Sequence, residues 1–315
     1  MQVPLHYFLP SDKIACGIEE EQADLFGILI ITYLFLGGAA AGALLVTCTW
    51  SILFHAHRIR RPSREIAGFN TLRSNCYATA FVLLIFSIAC LLWDLGSPER
   101  ALNLFLHPHL SILSIGSFIL SLEAILAGAL ALATFFDFHA IGGNARRVLE
   151  YCCAVFSCGV IIYTGVFLAA NKSVPLWSTW TLVALFFFSS FSSGSAVVML
   201  LDYFNPDDAR HANVIRPMSA IHCAGLAFET VFLAAFLNHA FTTAAASESL
   251  ALLLSPSILQ TGIIGALGMG ILIPFGSEIR TLAFAEEGRA VPFSDFACLV
   301  GGFLLRYCVI VCGVH

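Results

Sequence analysis

The chain has 315 residues, 59% of them hydrophobic and only 11% charged, with a mean hydropathy of +0.88. No water-soluble domain of this size hides that much apolar surface, so the composition excludes a soluble enzyme and leaves a polytopic membrane protein. The formal net charge of −5 comes with basic residues spread over short loops, which excludes a nucleic-acid binder.

Residues 1–24 are polar and acidic, with Glu19-Glu20-Glu21 and Asp24 against Lys13. They lack the basic stretch, short apolar core and small-residue cleavage site of a signal peptide, and read as a tail. Eight apolar runs follow, each long enough for a bilayer core of about 30 Å. They are Leu25–His55, Leu72–Trp93, Ile112–Phe136, Val148–Ala170, Ser178–Leu201, Ile215–Phe241, Ser257–Gly276 and Phe296–Val314. The fold class is therefore all-α membrane protein with eight transmembrane helices.

Taken in order, span one carries Tyr33 and the small-residue stretch Gly37 to Gly42. Asp94 ends span two, and His107 and His109 follow in the second loop. Glu123 lies in the middle of span three. Span four ends in Tyr163-Thr164-Gly165 before Pro175-Leu176-Trp177. Trp180 opens span five, which continues into Ser189-Ser190-Phe191-Ser192-Ser193-Gly194-Ser195-Ala196. His222 and Glu229 share one face of span six, which His239 closes. Pro274 sits near the inner end of span seven after Gly262, Gly265, Gly268 and Gly270, and Arg306 lies inside span eight.

Loop charge gives the orientation, because basic residues accumulate on the cytoplasmic side. Arg58, Arg60, Arg61, Arg64, Arg73, Arg146, Arg147, Arg210, Arg216, Arg280 and Arg289 fall in the odd loops. Only Lys13, Arg100 and Lys172 fall in the tail and even loops. Both termini are thus expected outside the cytoplasmic (inner) membrane. The small-residue stretches of spans one and five mark close helix approach. Their similar course hints at two related four-helix bundles, 25–170 and 171–315, after a tail of 1–24.

The eleven cysteines form no Cys-x-x-Cys pair, so no iron–sulfur cluster is expected in this chain, and no metal ligands are read. No span offers two stacked histidines, so no haem is expected either. Ionisable residues inside spans are costly and often functional. Topology gathers Asp94, Tyr163, His239 and Tyr33 toward the outer side, near Trp177 and Trp180. Such a pocket suits a flat apolar ligand whose two polar ends exchange protons. Glu123, His222, Glu229 and Arg306 lie deeper and read as parts of a proton path.

Several of these motifs resemble the NrfD/PsrC-type membrane subunits of polysulfide-reductase-like complexes. They are Tyr163-Thr164-Gly165 with Pro175-Leu176-Trp177, the serine stretch after Phe187-Phe188, Tyr33 to Gly38, Asp94 to Arg100, and Leu305-Arg306-Tyr307. The resemblance covers essentially the whole chain. It implies a quinone-reactive anchor exchanging electrons between menaquinone, or another quinone, and a four-cluster iron–sulfur subunit. Beyond that it implies a molybdopterin catalytic subunit or a multihaem cytochrome. It also implies Tyr163 at the quinone headgroup and an acidic residue at about the place of Asp94. From the residues themselves, Asp94 or His239 is expected to handle protons, with Tyr33, Trp177 and Arg306 lining the site. Where members use Asn and His on span one, this chain has Thr32 and Tyr33. The other reading of the residues is a secondary transporter with a midplane polar site.

Overall fold

Backbone amides in hydrocarbon must be satisfied within their own segment, which leaves helices or closed barrels. The computed structural model describes residues 11–56, 63–94, 112–135, 143–172, 174–204, 212–243, 246–284 and 292–313, and no strand occurs among them. In chain order the helices are α1 (Ser11–Ala56), α2 (Ser63–Asp94), α3 (Ile112–Phe135), α4 (Gly143–Ala169), α5 (Trp180–Tyr203), α6 (Ala212–Thr242) and the short α7 (Ser247–Leu253). Then come α8 (Pro256–Gln260), a π-helical stretch (Thr261–Leu272), α9 (Ile273–Phe284) and α10 (Phe293–Val311). Eight segments are long and apolar enough to cross a membrane, among them Gly27–Leu53, Asn144–Ala169, Pro256–Ala283 and Phe293–Val311.

The helices outrun the apolar runs that announce them. The acidic Glu19 to Asp24 stretch belongs to the same helix as the first span. Arg73 is not a loop residue: α2 begins at Ser63, and Arg73 is buried well inside it. The seventh span continues to Ala283, beyond Gly276. Besides Pro274, Pro217 also lies inside a helix, in the early turns of α6.

Periodicity sets which face is hidden. On α3, Ile115, Phe118, Leu122, Ile125 and Leu132 are exposed, while Ser117, Leu120, Ala124, Ala127 and Leu130 are buried. These are two opposite stripes at helical spacing, one for lipid and one for protein. Glu123 falls on the buried side at 0% exposure. Helix α5 is different: 78% of its apolar window is buried, so it is central rather than peripheral.

Helix α1 packs against α2, α4 and α5; α2 packs on α3, and α3 on α4. Helix α5 packs against α6 and α10, α10 against the π-helical stretch, and α6 against α9. The two small-residue stretches meet at the centre. A Cβ on Gly194 would overlap the backbone of Gly42, and one on Gly42 would overlap the Ser190 carbonyl. Only hydrogen in place of a side chain lets α1 and α5 cross backbone to backbone.

Candidate functional site

Three buried polar clusters stand out. The first joins Tyr33 of α1 to Tyr163 near the end of α4. The Tyr33 and Tyr163 side chains are polar neighbours. Phe167, one turn on from Tyr163, packs against both rings, with centroids 6.3 Å from Tyr33 and 5.9 Å from Tyr163. The Tyr163 ring lies directly on Gly116 of α3, where any Cβ would overlap it. Ser87 of α2 donates to the Tyr33 carbonyl at 2.9 Å and fixes that turn of α1. The result is two phenols within an aromatic and apolar surround. Phenols both donate and accept hydrogen bonds, which suits them to a ligand oxygen that changes protonation.

The second cluster runs through the other half of the molecule. Arg306 of α10 is fully buried, and an unpaired guanidinium there would be very costly. It donates to Ser189 Oγ at 3.3 Å, Ser190 Oγ at 2.7 Å and the Gly302 carbonyl at 2.9 Å. Its guanidinium also faces the rings of Phe35, at 5.5 Å, and Phe186, at 5.3 Å, a favourable placement for a cation. Glu229 of α6 interacts electrostatically with Arg306 and has Ser189 and Ser192 as polar neighbours. Ser192 Oγ lies 3.3 Å from His222 Nε2, and His222 Nδ1 lies 3.2 Å from Glu278 Oε1 of α9. A buried polar line thus passes from Arg306 through Glu229 and Ser192 to His222 and Glu278. The seven-residue step from His222 to Glu229 accounts for about 10 Å of it along α6.

The third cluster closes the first four helices at the end where α1 finishes. Arg73 donates to Ser51 Oγ at 3.0 Å and pairs with Glu150 of α4 at 3.4 Å. The Tyr77 hydroxyl donates to the same carboxylate at 3.2 Å.

The structure brings some predicted site residues together and separates others. Tyr33 and Tyr163 meet. His239 does not join them: α6 does not pack along α4, and His239 Nδ1 lies 3.4 Å from Thr243 Oγ1, just past the end of its own helix. Trp177 spends its indole N–H on the Val309 carbonyl at 2.9 Å, and its ring lies on Gly313. Arg306 belongs to the serine–glutamate line. Glu123 is apart from that line and faces Ser157 of α4. The Asp94 side chain, the 95–111 loop with His107 and His109, and Arg58, Arg60, Arg61, Arg210 and Arg289 lie outside the described residues.

Sequence reasoning missed Glu150, Glu278, Asp295 and the polar work of the α5 serines. Glu278 and Asp295 fall just beyond the apolar runs, and Glu150 falls within one. The serines read as small residues for close packing, although Ser189, Ser190 and Ser192 also supply the hydroxyls that make buried charges tolerable.

An almost wholly apolar cavity of about 230 Å³ lies between α6, the π-helical stretch and α10, with Leu176, Phe236, Ile263 and Val309 among its walls. No curated protein matches the chain significantly. Residues 18–315 match the family described as polysulphide reductase, NrfD, and the chain belongs to that family, whose members are membrane subunits of quinone-linked oxidoreductases.

Proposed function

We propose that this chain is the quinone-reactive anchor of a multisubunit oxidoreductase, with the quinone headgroup bound beside Tyr163 and Tyr33. The observation that carries this reading is the convergence of the two phenols with Phe167 over Gly116. Tyr163 hydrogen-bonds one ligand oxygen, and Tyr33 holds the Tyr163 hydroxyl in position. Asp94 takes or supplies the proton, and His239, apart from the two phenols, does not act on the headgroup. A quinone, menaquinone in this proposal, would exchange electrons with the partner's clusters when bound. Trp177 and Arg306 act through the scaffold rather than on the headgroup.

In this reading the headgroup end is the outer face of the cytoplasmic membrane, and both termini lie outside. Segments 25–170 and 171–315 act as two four-helix bundles behind an outward tail of 1–24. A four-cluster iron–sulfur subunit docks at the outer face, with a molybdopterin catalytic subunit or a multihaem cytochrome beyond it. Family membership favours this redox role over the secondary transporter.

The test is gentle purification from native membranes, mass spectrometry of co-purifying subunits and extraction of bound quinone. The expected result is an iron–sulfur partner and quinone, with quinol turnover in the assembled complex falling at least roughly tenfold in Tyr163→Phe, a loss of about 1.4 kcal/mol at the barrier. Unchanged turnover in that variant removes Tyr163 from the site.

The line from Arg306 through Glu229 to His222 supports a second reading, a proton route through the second half, to which Glu123 would contribute from the first. Glu229→Gln is expected to slow proton uptake while cluster reduction continues. Normal uptake in that variant takes Glu229 off the route.

A further inference from the structure

The polar line does not stop at His222. Its Nδ1 faces Glu278 of α9, Asp295 in the first turn of α10 lies beside them, and one ligating atom from each of the three residues lies within 4.8 Å of the others. All three side chains are buried. They come from three separate helices, so the convergence is tertiary and not an accident of one helix face. We propose that His222, Glu278 and Asp295 form a binding site for a divalent first-row transition cation of the zinc or manganese class.

Geometry, charge and donor chemistry agree. The 3.2 Å between His222 Nδ1 and Glu278 Oε1 is close to the ligand-to-ligand edge of about 3.3 Å in a tetrahedral site with bonds of about 2.0 Å. One imidazole and two carboxylates suit zinc, manganese or iron rather than the softer, thiolate-seeking ions. Two carboxylates buried in an apolar bundle repel each other, and a doubly charged cation neutralises both at once. The other ring nitrogen has the partner that a metal-bound histidine needs. Nε2 lies 3.3 Å from Ser192 Oγ, so Nε2–H donates there and leaves the Nδ1 lone pair for the metal. Cys298 Sγ lies 3.7 Å from Nε2, on the far side of the ring from the carboxylates, and is not a ligand. A cation here ties α6, α9 and α10 together just beyond the π-helical stretch. It also fixes the direction in which His222 donates toward Ser192.

This inference goes beyond the quinone reading and is tested without quinol turnover. The full chain is purified in its complex through a tag without histidines, and zinc and manganese are measured by elemental mass spectrometry. The expected content is about one equivalent per chain, lost with chelator together with part of the thermal stability and regained on adding the metal alone. Glu278→Gln and Asp295→Asn should each lower metal content about tenfold, while Cys298→Ser should keep it, as expected for loss of a ligand rather than of a neighbour. If a carboxylate variant does not fold, the wild-type chain decides. After stripping, it should take up cobalt(II) with the visible absorption of a low-symmetry site. A wild-type chain without stoichiometric metal and without cobalt uptake overturns the proposal. So does metal content that is equal in wild type and in folded carboxylate variants, which identifies an adventitious ion only.

Discussion

The two halves of the molecule place their polar groups differently. In α1 to α4 they sit at the two ends: Tyr33 and Tyr163 at one, and Arg73, Ser51, Tyr77 and Glu150 at the other. Among the described residues, the buried carboxylate that lies between is Glu123, beside Ser157. In α5 to α10 they form one line, from Arg306 through Glu229 and His222 to Glu278. A neutral phenol asks little of its surroundings beyond a hydrogen bond, roughly 1–3 kcal/mol when it is missing. A buried guanidinium asks for every donor to be met, and breaking such an arrangement costs about 3–5 kcal/mol. The Tyr33–Tyr163 end of the first half can therefore offer its phenols to a ligand, whereas Arg73 with Glu150 at its other end, and Arg306 in the second half, must hold their charges in place. The phenol end is suited to an exchangeable guest and the guanidinium clusters to fixed internal charge.

Four substitutions break or sharpen that contrast. The largest effect is expected at the seam between the halves. Gly194→Val puts side-chain atoms into the Gly42 backbone. It should abolish the monodisperse peak in size-exclusion chromatography, and a normally assembled variant would mean the halves do not need this crossing. Next comes Arg306→Met, expected to destabilise the chain by about 3–5 kcal/mol because Glu229 loses its counter-charge. Adding Glu229→Gln should restore part of the thermal stability, and the absence of any recovery would uncouple the two residues. In the first half, Tyr33→Phe should leave thermal stability within about 1 kcal/mol of wild type, yet lower quinol turnover along with Tyr163→Phe. Equal stability and equal turnover would make Tyr33 a packing residue. The smallest effect belongs to Trp177→Phe, which loses one hydrogen bond to Val309. A loss of about 1 kcal/mol in melting experiments is expected, with turnover unchanged. A collapse of turnover would return Trp177 to the ligand site.

The sequence made the spans legible because hydropathy reports directly on lipid contact. It also marked the small-residue stretches of α1 and α5 as places of close helix approach, although not that Gly42 and Gly194 meet each other. The Tyr33–Tyr163 pairing followed from counting spans and directions. Helix length was harder to read. Lipid selects only the part of a helix it touches, so Arg73, Glu278 and Asp295 sat in or beside polar sequence while being buried inside the protein. Which buried acid meets which partner was not legible at all. Helix rotation and crossing decide that Glu150 faces Arg73 while Glu123 faces Ser157, and a one-dimensional pattern carries neither angle.

The Trp177 bond to Val309 has a consequence for how the chain is made. Its two partners are 132 residues apart, and the segment that links the halves cannot be secured when it first emerges from the ribosome. Contacts of such long sequence separation form late, because closing the intervening loop costs entropy before it returns any contact. The bond that secures this segment therefore waits for α10 to be inserted. A chain stalled before α10 lacks Arg306 as well, and exposes the serine-lined side of α5. Quality control has a single late event to inspect: the arrival of the last helix both locks the linker and supplies the missing guanidinium.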